Sequence, residues 1–96
     1  MAVEAPLDHA AGVLLEIGEV ASDVAVLAAR TAEHGEGTFR GDAASAAVLA
    51  EAAARAAEAL IAANLTVAEA DERLLRARAL ARVSSDAARR ALSAGP

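Results

Sequence analysis

Apolar side chains recur along the first third of the chain at the spacing of one helix face. Val13, Ile17, Val20, Val24 and Leu27 step by three and four residues, Leu7, Ala11, Leu14 and Ala21 form a flanking stripe, and Glu16, Glu19, Asp23 and Arg30 occupy the opposite side. The pattern predicts a helix that starts near Pro6, a residue suited to an early helical position, and runs to about Glu33, with Gly35 as a left-handed terminator. So wide an apolar sector predicts neighbours on more than one side of the helix. Gly12 and Gly18 each cost about 1 kcal/mol relative to alanine inside a helix, so they are either tolerated or mark close approach by another helix.

Residues 35–41 read Gly-Glu-Gly-Thr-Phe-Arg-Gly and cannot propagate a helix cheaply, so they form the connection. Asp42 follows as the expected cap of a second helix that runs to about Leu65. Leu49, Ala53, Ala56, Leu60 and Ala63 mark the expected core stripe of that helix, with Glu51, Arg55 and Glu58 as a solvated ion-pair row. Thr66-Val67-Ala68-Glu69 has the form of a capping box and predicts the start of a third helix. Leu74, Ala77, Ala81, Ser84, Ala88 and Ala91 are its expected buried stripe, flanked by Leu75, Leu80, Val83 and Leu92, before a frayed end over 93–96. The expected fold is therefore all-α, with three long helices in an antiparallel or orthogonal bundle. No internal repeat and no separate linker divides the chain, so residues 1–96 form one domain.

Composition sharpens this picture. Of 96 residues 31 are alanine, which leaves 23 larger apolar side chains, among them Phe39 as the single aromatic. Alanine, leucine, glutamate and arginine favour helix energetically. The same composition makes a thin core and predicts that the bundle is completed by dimerisation or by a partner segment.

A net charge of −5 argues against nucleic acid as a partner, because neutralising phosphates takes a basic face. All nine basic residues are arginine; three lie in residues 1–65 beside ten acids, and six lie in 66–96 beside four. The six at 73, 76, 78, 82, 89 and 90 spread around helix three, a pattern expected of solvated or acid-paired groups. With no cysteine there is no disulfide framework or thiolate nucleophile. The acidic start does not resemble a signal peptide, and the apolar stretch from Ala10 to Ala29 is interrupted by three acids. A cytoplasmic protein without a membrane partner is expected.

Few residues invite chemistry. The glycines at 35, 37 and 41 do not fit a phosphate loop, since no strand precedes them and no Gly-Lys-Ser/Thr follows. His9 and His34 belong to no metal-ligand spacing, and no metal site is expected. His34 suits the negative end of a helix dipole, or else titrates as an acid or base. Phe39 either pins the loop onto the core or stacks on a flat ligand. Asp42 can cap a helix, bind a ligand or act in catalysis.

The string Glu4-Ala5-Pro6-Leu7, the long helix to Gly35, Gly41-Asp42-Ala43, the block Leu49 to Ala57, and Asn64-Leu65 with a later Asp71 resemble a known family. They look like the C-terminal half of the cyclodeaminase/cyclohydrolase family, which includes the deaminase domain of formimidoyltransferase-cyclodeaminase and the methenyltetrahydrofolate cyclohydrolases. The resemblance covers nearly the whole chain, and the interval from Gly35 to Asp42 is its most specific part. It implies an all-helical dimer acting on the one-carbon unit of tetrahydrofolate, by releasing ammonia from a formimino group or adding water to a methenyl bridge. The family's glycine-rich, acidic N-terminal half does not occur in these 96 residues. Within the matching half, Gly41 replaces a serine and Glu36 an asparagine, and an Asn-Val-Arg-Ile-Asn-Leu pattern has become Leu60-Ile61-Ala62-Ala63-Asn64-Leu65. The lost arginine removes a partner for the carboxylates of a folate tail.

The resemblance implies a site with Asp42 as its catalytic group and with Phe39, Asn64, Gly35 and Gly41 as its ligand-binding wall. A tetrahydrofolate derivative is then the substrate, with no separate cofactor. The expected partner is a second copy or a separate chain carrying the N-terminal half. The competing expectation is a non-catalytic helical module for dimerisation or protein docking.

Overall fold

The computed structural model describes residues 4–64 and 71–95. Helix α1 spans Glu4–His34, a 3₁₀ turn covers Gly37–Phe39, α2 spans Arg40–Asn64 and α3 spans Glu72–Ser93. The described residues contain no strand, and the all-helical reading holds. The three helices run up, down and up. Arg90 near the end of α3 meets Glu33 near the end of α1 at 3.2 Å, and Arg78 of α3 meets Glu58 of α2 at 3.8 Å. The arrangement is antiparallel rather than orthogonal, in a rod 55 Å long and 19 by 14 Å across. No helix among the described residues is long and apolar enough to cross a membrane.

The packing seams are built from alanine. In α1 the inner positions are Ala11, Gly18, Ala25 and Ala32, one heptad apart, with Ala21 and Ala28 beside them. In α2 they are Ala43, Ala50 and Ala57, with Ala47, Ala54 and Ile61. In α3 all six expected positions, from Leu74 to Ala91, are buried, and Leu80 and Ala87 join them. Side chains this small let helix backbones approach to the short end of the roughly 8–10 Å range. Larger side chains enter the core at Leu80, beside Gly18, and in a cluster around Ile61 and Leu74 with Leu14 and Leu15 against them. Ser84 is fully buried, and its hydroxyl donates to the Leu80 carbonyl at 2.8 Å, which satisfies the hydroxyl donor.

One expectation is reversed by this arrangement. Leu49, Ala53, Ala56, Leu60 and Ala63, expected as the core stripe of α2, are all exposed, Leu49 at 71%. The physical reason is size: two alanine-lined helices meet most closely through their smallest face, which rotates the leucines out of the seam. In α1, Ala11, Leu14 and Ala21 of the flanking stripe pack inward, and Val13, Ile17, Val20, Val24 and Leu27 lie on the outside.

Helix three also starts differently from its expectation. Asp71 is its N-cap and accepts from the Arg73 backbone N–H at 2.8 Å. The capping box at 66–69 lies outside the described residues. Ser93 still belongs to α3, which ends where the Ala94 N–H donates to the Arg90 and Ala91 carbonyls.

Candidate functional site

The reversal between α1 and α2 carries Gly35, Phe39, Gly41 and Asp42, four of the five residues singled out from sequence. The Gly35 N–H donates to the Thr31 carbonyl at 2.8 Å. A Cβ at position 35 would lie 2.5 Å from that same oxygen, so contact with the last turn of α1 demands glycine there. Gly35 does not adopt the left-handed conformation expected of it, since no described glycine has a positive φ. Glu36 is extended instead, and the Phe39 N–H donates back to its carbonyl at 3.0 Å, closing the 3₁₀ turn. Arg40 then reaches back, its Nε donating to the Ala32 carbonyl at 3.4 Å. This places a cation at the negative end of the α1 dipole, beside His34.

Because α2 begins at Arg40, Asp42 sits inside its first turn and is not its cap. Its exposed carboxylate still complements the positive end of the helix dipole. Phe39 is 54% exposed and does not pin the loop into the core. Phe39 and Asp42 are three residues apart where the 3₁₀ turn runs into α2, a spacing that sets both on one side of the helical path. An aromatic face beside a carboxylate suits a flat, cationic ligand, although in one copy the pair is open to water and its field is screened. Gly41 is exposed, with open space where a Cβ would stand.

Asn64, the fifth residue, is the last of α2 and is half-buried. It lies 22 residues beyond Asp42 on one unbroken helix, a separation of roughly 33 Å at the α-helical rise. A single chain cannot bring the two together, and the expected wall is divided between the two ends of the rod.

Between those ends runs the feature that sequence reasoning missed. A groove of about 600 Å³ opens along the α1–α2 pair, lined by Val13, Ile17, Val20 and Val24 from α1 and by Ala46, Leu49 and Ala53 from α2. Among the described residues Glu16 is the one charged group in its lining, and none of α3 contributes. Counted by the helical period, Asp42 and Asn64 share the α2 face of Leu49 and Leu60 and stand at its two ends. The available signal was the seven-residue repeat of small side chains at 11, 18, 25 and 32, which claims the inner seam and leaves the larger stripe outside.

Several other charged groups are engaged in ion pairs. Among the described residues, Arg73 pairs with Asp71, Arg78 with Glu58, Arg89 with Asp86, and Arg90 with Glu33. Glu51 pairs with Arg55 as the row predicted, while Glu58 turns to α3. The Asp71 carboxyl is held below the ordinary value of 3.8, first by the hydrogen bond from the Arg73 side chain and then by the one from the Arg73 backbone. Among the described residues no three His, Cys, Asp or Glu side chains converge as metal ligands.

A family model described as formiminotransferase-cyclodeaminase matches residues 1–85, which takes in α1, the reversal, α2 and the first two-thirds of α3. No curated protein and no solved structure matches the chain.

Proposed function

The chain belongs to the formiminotransferase-cyclodeaminase family, and on that footing we propose that it binds a one-carbon derivative of tetrahydrofolate at the α1–α2 reversal and acts on its one-carbon unit. The family match over residues 1–85 carries this reading, and the exposed pair of Phe39 and Asp42 at the reversal supports it. The pterin ring packs on Phe39, with the backbone at Gly35 and Gly41 as its close wall. The Asp42 carboxylate faces the amidine-like carbon, where its charge stabilises the cationic centre. In hydrolysis of a methenyl bridge, water adds to the amidinium carbon and its proton passes to Asp42, and one of the two bridge C–N bonds then breaks as Asp42 gives that proton to the departing nitrogen, leaving a formyl group on the other. In deamination of a formimino group, the second folate nitrogen attacks the formimino carbon to form the new C–N bond of the bridge, and the bond to the formimino nitrogen breaks as Asp42 supplies the proton with which ammonia leaves. Asn64 supplies a hydrogen bond to the ligand only if a second chain brings it to the reversal.

The test is Asp42→Asn. Asp42 is exposed and does not cap α2, so the neutral variant keeps its helices. Hydrolysis of a methenyltetrahydrofolate, followed by loss of its conjugated chromophore, should fall by about 100-fold or more, in line with general acid–base contributions. Unchanged turnover would exclude a charged role for Asp42. The open apolar face favours a second reading, a non-catalytic helical module, which a folded chain that ignores folates would support.

A further inference from the structure

We propose that the cleft between α2 and α3 binds a small phosphate monoester, held by Arg55, Arg78, Arg82 and Ser85. The cleft has a volume of about 240 Å³ and is lined by those four residues together with Glu58 and Ala81. Arg78, Arg82 and Ser85 are spaced by four and then three residues, so α3 presents them on a single face. Arg55 comes from α2, one turn before Glu58, and the ion pair between Glu58 and Arg78 marks the level at which the two helices meet.

The cleft gathers donors that lack acceptors. Arg40, Arg73, Arg89 and Arg90 each donate a side-chain hydrogen bond to a carbonyl or carboxylate. Arg55 lies 3.7 Å from Glu51 and Arg78 lies 3.8 Å from Glu58, ion pairs too long to be hydrogen bonds. Arg82 and Ser85 have no polar partner among the described residues. Each guanidinium carries five N–H donors in a planar fork that matches phosphate oxygens two at a time, and the Ser85 hydroxyl adds one more donor. Three forks arriving from two helices suit the three terminal oxygens of a phosphate monoester better than the two coplanar oxygens of a carboxylate. The lining sets three cations against the single acid Glu58. Glu51, outside the lining, competes weakly for Arg55 through a largely exposed pair. Acids farther along this negatively charged chain matter less, since charges more than about 8 Å away are largely screened at physiological salt.

Arg55 stands roughly 20 Å along α2 from Asp42 at the helical rise, so this site does not rest on the folate reading. Calorimetric titration of the native chain with glycerol 3-phosphate should give saturable heat with one molecule bound per chain. Arg82→Gln should weaken binding by roughly ten-fold or more, the effect of losing charge-assisted hydrogen bonds. Arg82→Lys should restore only part of it, because an ammonium cannot engage two oxygens as a fork does. Glu58→Gln, which removes the one acid of the lining, should tighten binding. Arg82 is exposed, so its replacement leaves the helices intact, and Arg76→Gln, exposed on another face of α3, should bind as the native chain does. No saturable heat, or undiminished affinity in Arg82→Gln, would overturn the inference. Equal affinity for succinate would overturn the preference for phosphate. Phosphatidylcholine vesicles carrying phosphatidic acid offer the same group on a surface, and co-sedimentation with them by a chain that ignores glycerol 3-phosphate would overturn the soluble ligand.

Discussion

Three glycines that look alike in sequence stand in three different surroundings, and replacing each by alanine measures how closely the helices meet. At Gly18, buried in the α1 seam, an added Cβ would lie 3.6 Å from Leu80 Cδ1 and 3.8 Å from the Ala57 Cβ, both ordinary contact distances. The substitution therefore gains the helix preference of alanine, about 1 kcal/mol, plus part of the roughly 0.8 kcal/mol of a buried methyl group. At Gly12 nothing lies within 4 Å, so Gly12→Ala gains only the helix term. At Gly35 the Cβ would meet the Thr31 carbonyl oxygen at 2.5 Å, and relief means losing the Gly35–Thr31 hydrogen bond, at a cost of about 1–3 kcal/mol. Thermal unfolding by circular dichroism at one fixed chain concentration reads all three, since 1 kcal/mol shifts Tm by about 4–8 °C in a domain of this size. The expected order is Gly18→Ala highest, then Gly12→Ala, then the native chain, with Gly35→Ala lowest. A loss of stability in Gly18→Ala would refute the packing argument, because it would mean that α1, α2 and α3 meet too tightly at that level for a methyl group.

Ala25→Leu, at a position with no exposure, should overpack the seam and cost about 1–3 kcal/mol in urea unfolding, and a neutral result would place Ala25 outside it. Asp71 adds a pH signature. Its folded pKa is lowered, so its contribution is present above the unfolded value near 3.8 and is lost as pH falls through the folded value. The stability gap between the native chain and Asp71→Asn should close over that acidic window and stay constant from pH 5 to 8. A gap independent of pH down to 2 would contradict the pairing with Arg73.

Much of the fold was legible because alanine density and the Gly35–Gly41 interruption leave few alternatives to long helices joined by a short reversal. All six positions expected on the buried side of helix three are buried, since Leu74, Ser84 and the alanines between Ala77 and Ala91 lie on one face, although Leu80 and Ala87 join them. Helix two was not, because the rule that the largest apolar residues mark the core selects Leu49 and Leu60. In a bundle this narrow the closest-packed face is the smallest one, and the two stripes lie only about 100° apart around the helix. The ends of the helices were blurred for a local reason: the 3₁₀ turn feeds straight into α2 at Arg40, which makes Asp42 a first-turn residue where a cap was expected. The site was half legible. Gly35, Phe39, Gly41 and Asp42 meet at one reversal, whereas Asn64 is carried to the other end by a helix whose length the sequence does show.

The most direct test is calorimetric titration of the purified chain with tetrahydrofolate and its methenyl derivative, with the mass of the protein recorded in the same buffer. Binding by this family member predicts saturable heat from a dimer with one site per chain, abolished in Asp42→Asn or Asn64→Ala. No heat from a folded chain would contradict a folate site at the α1–α2 reversal.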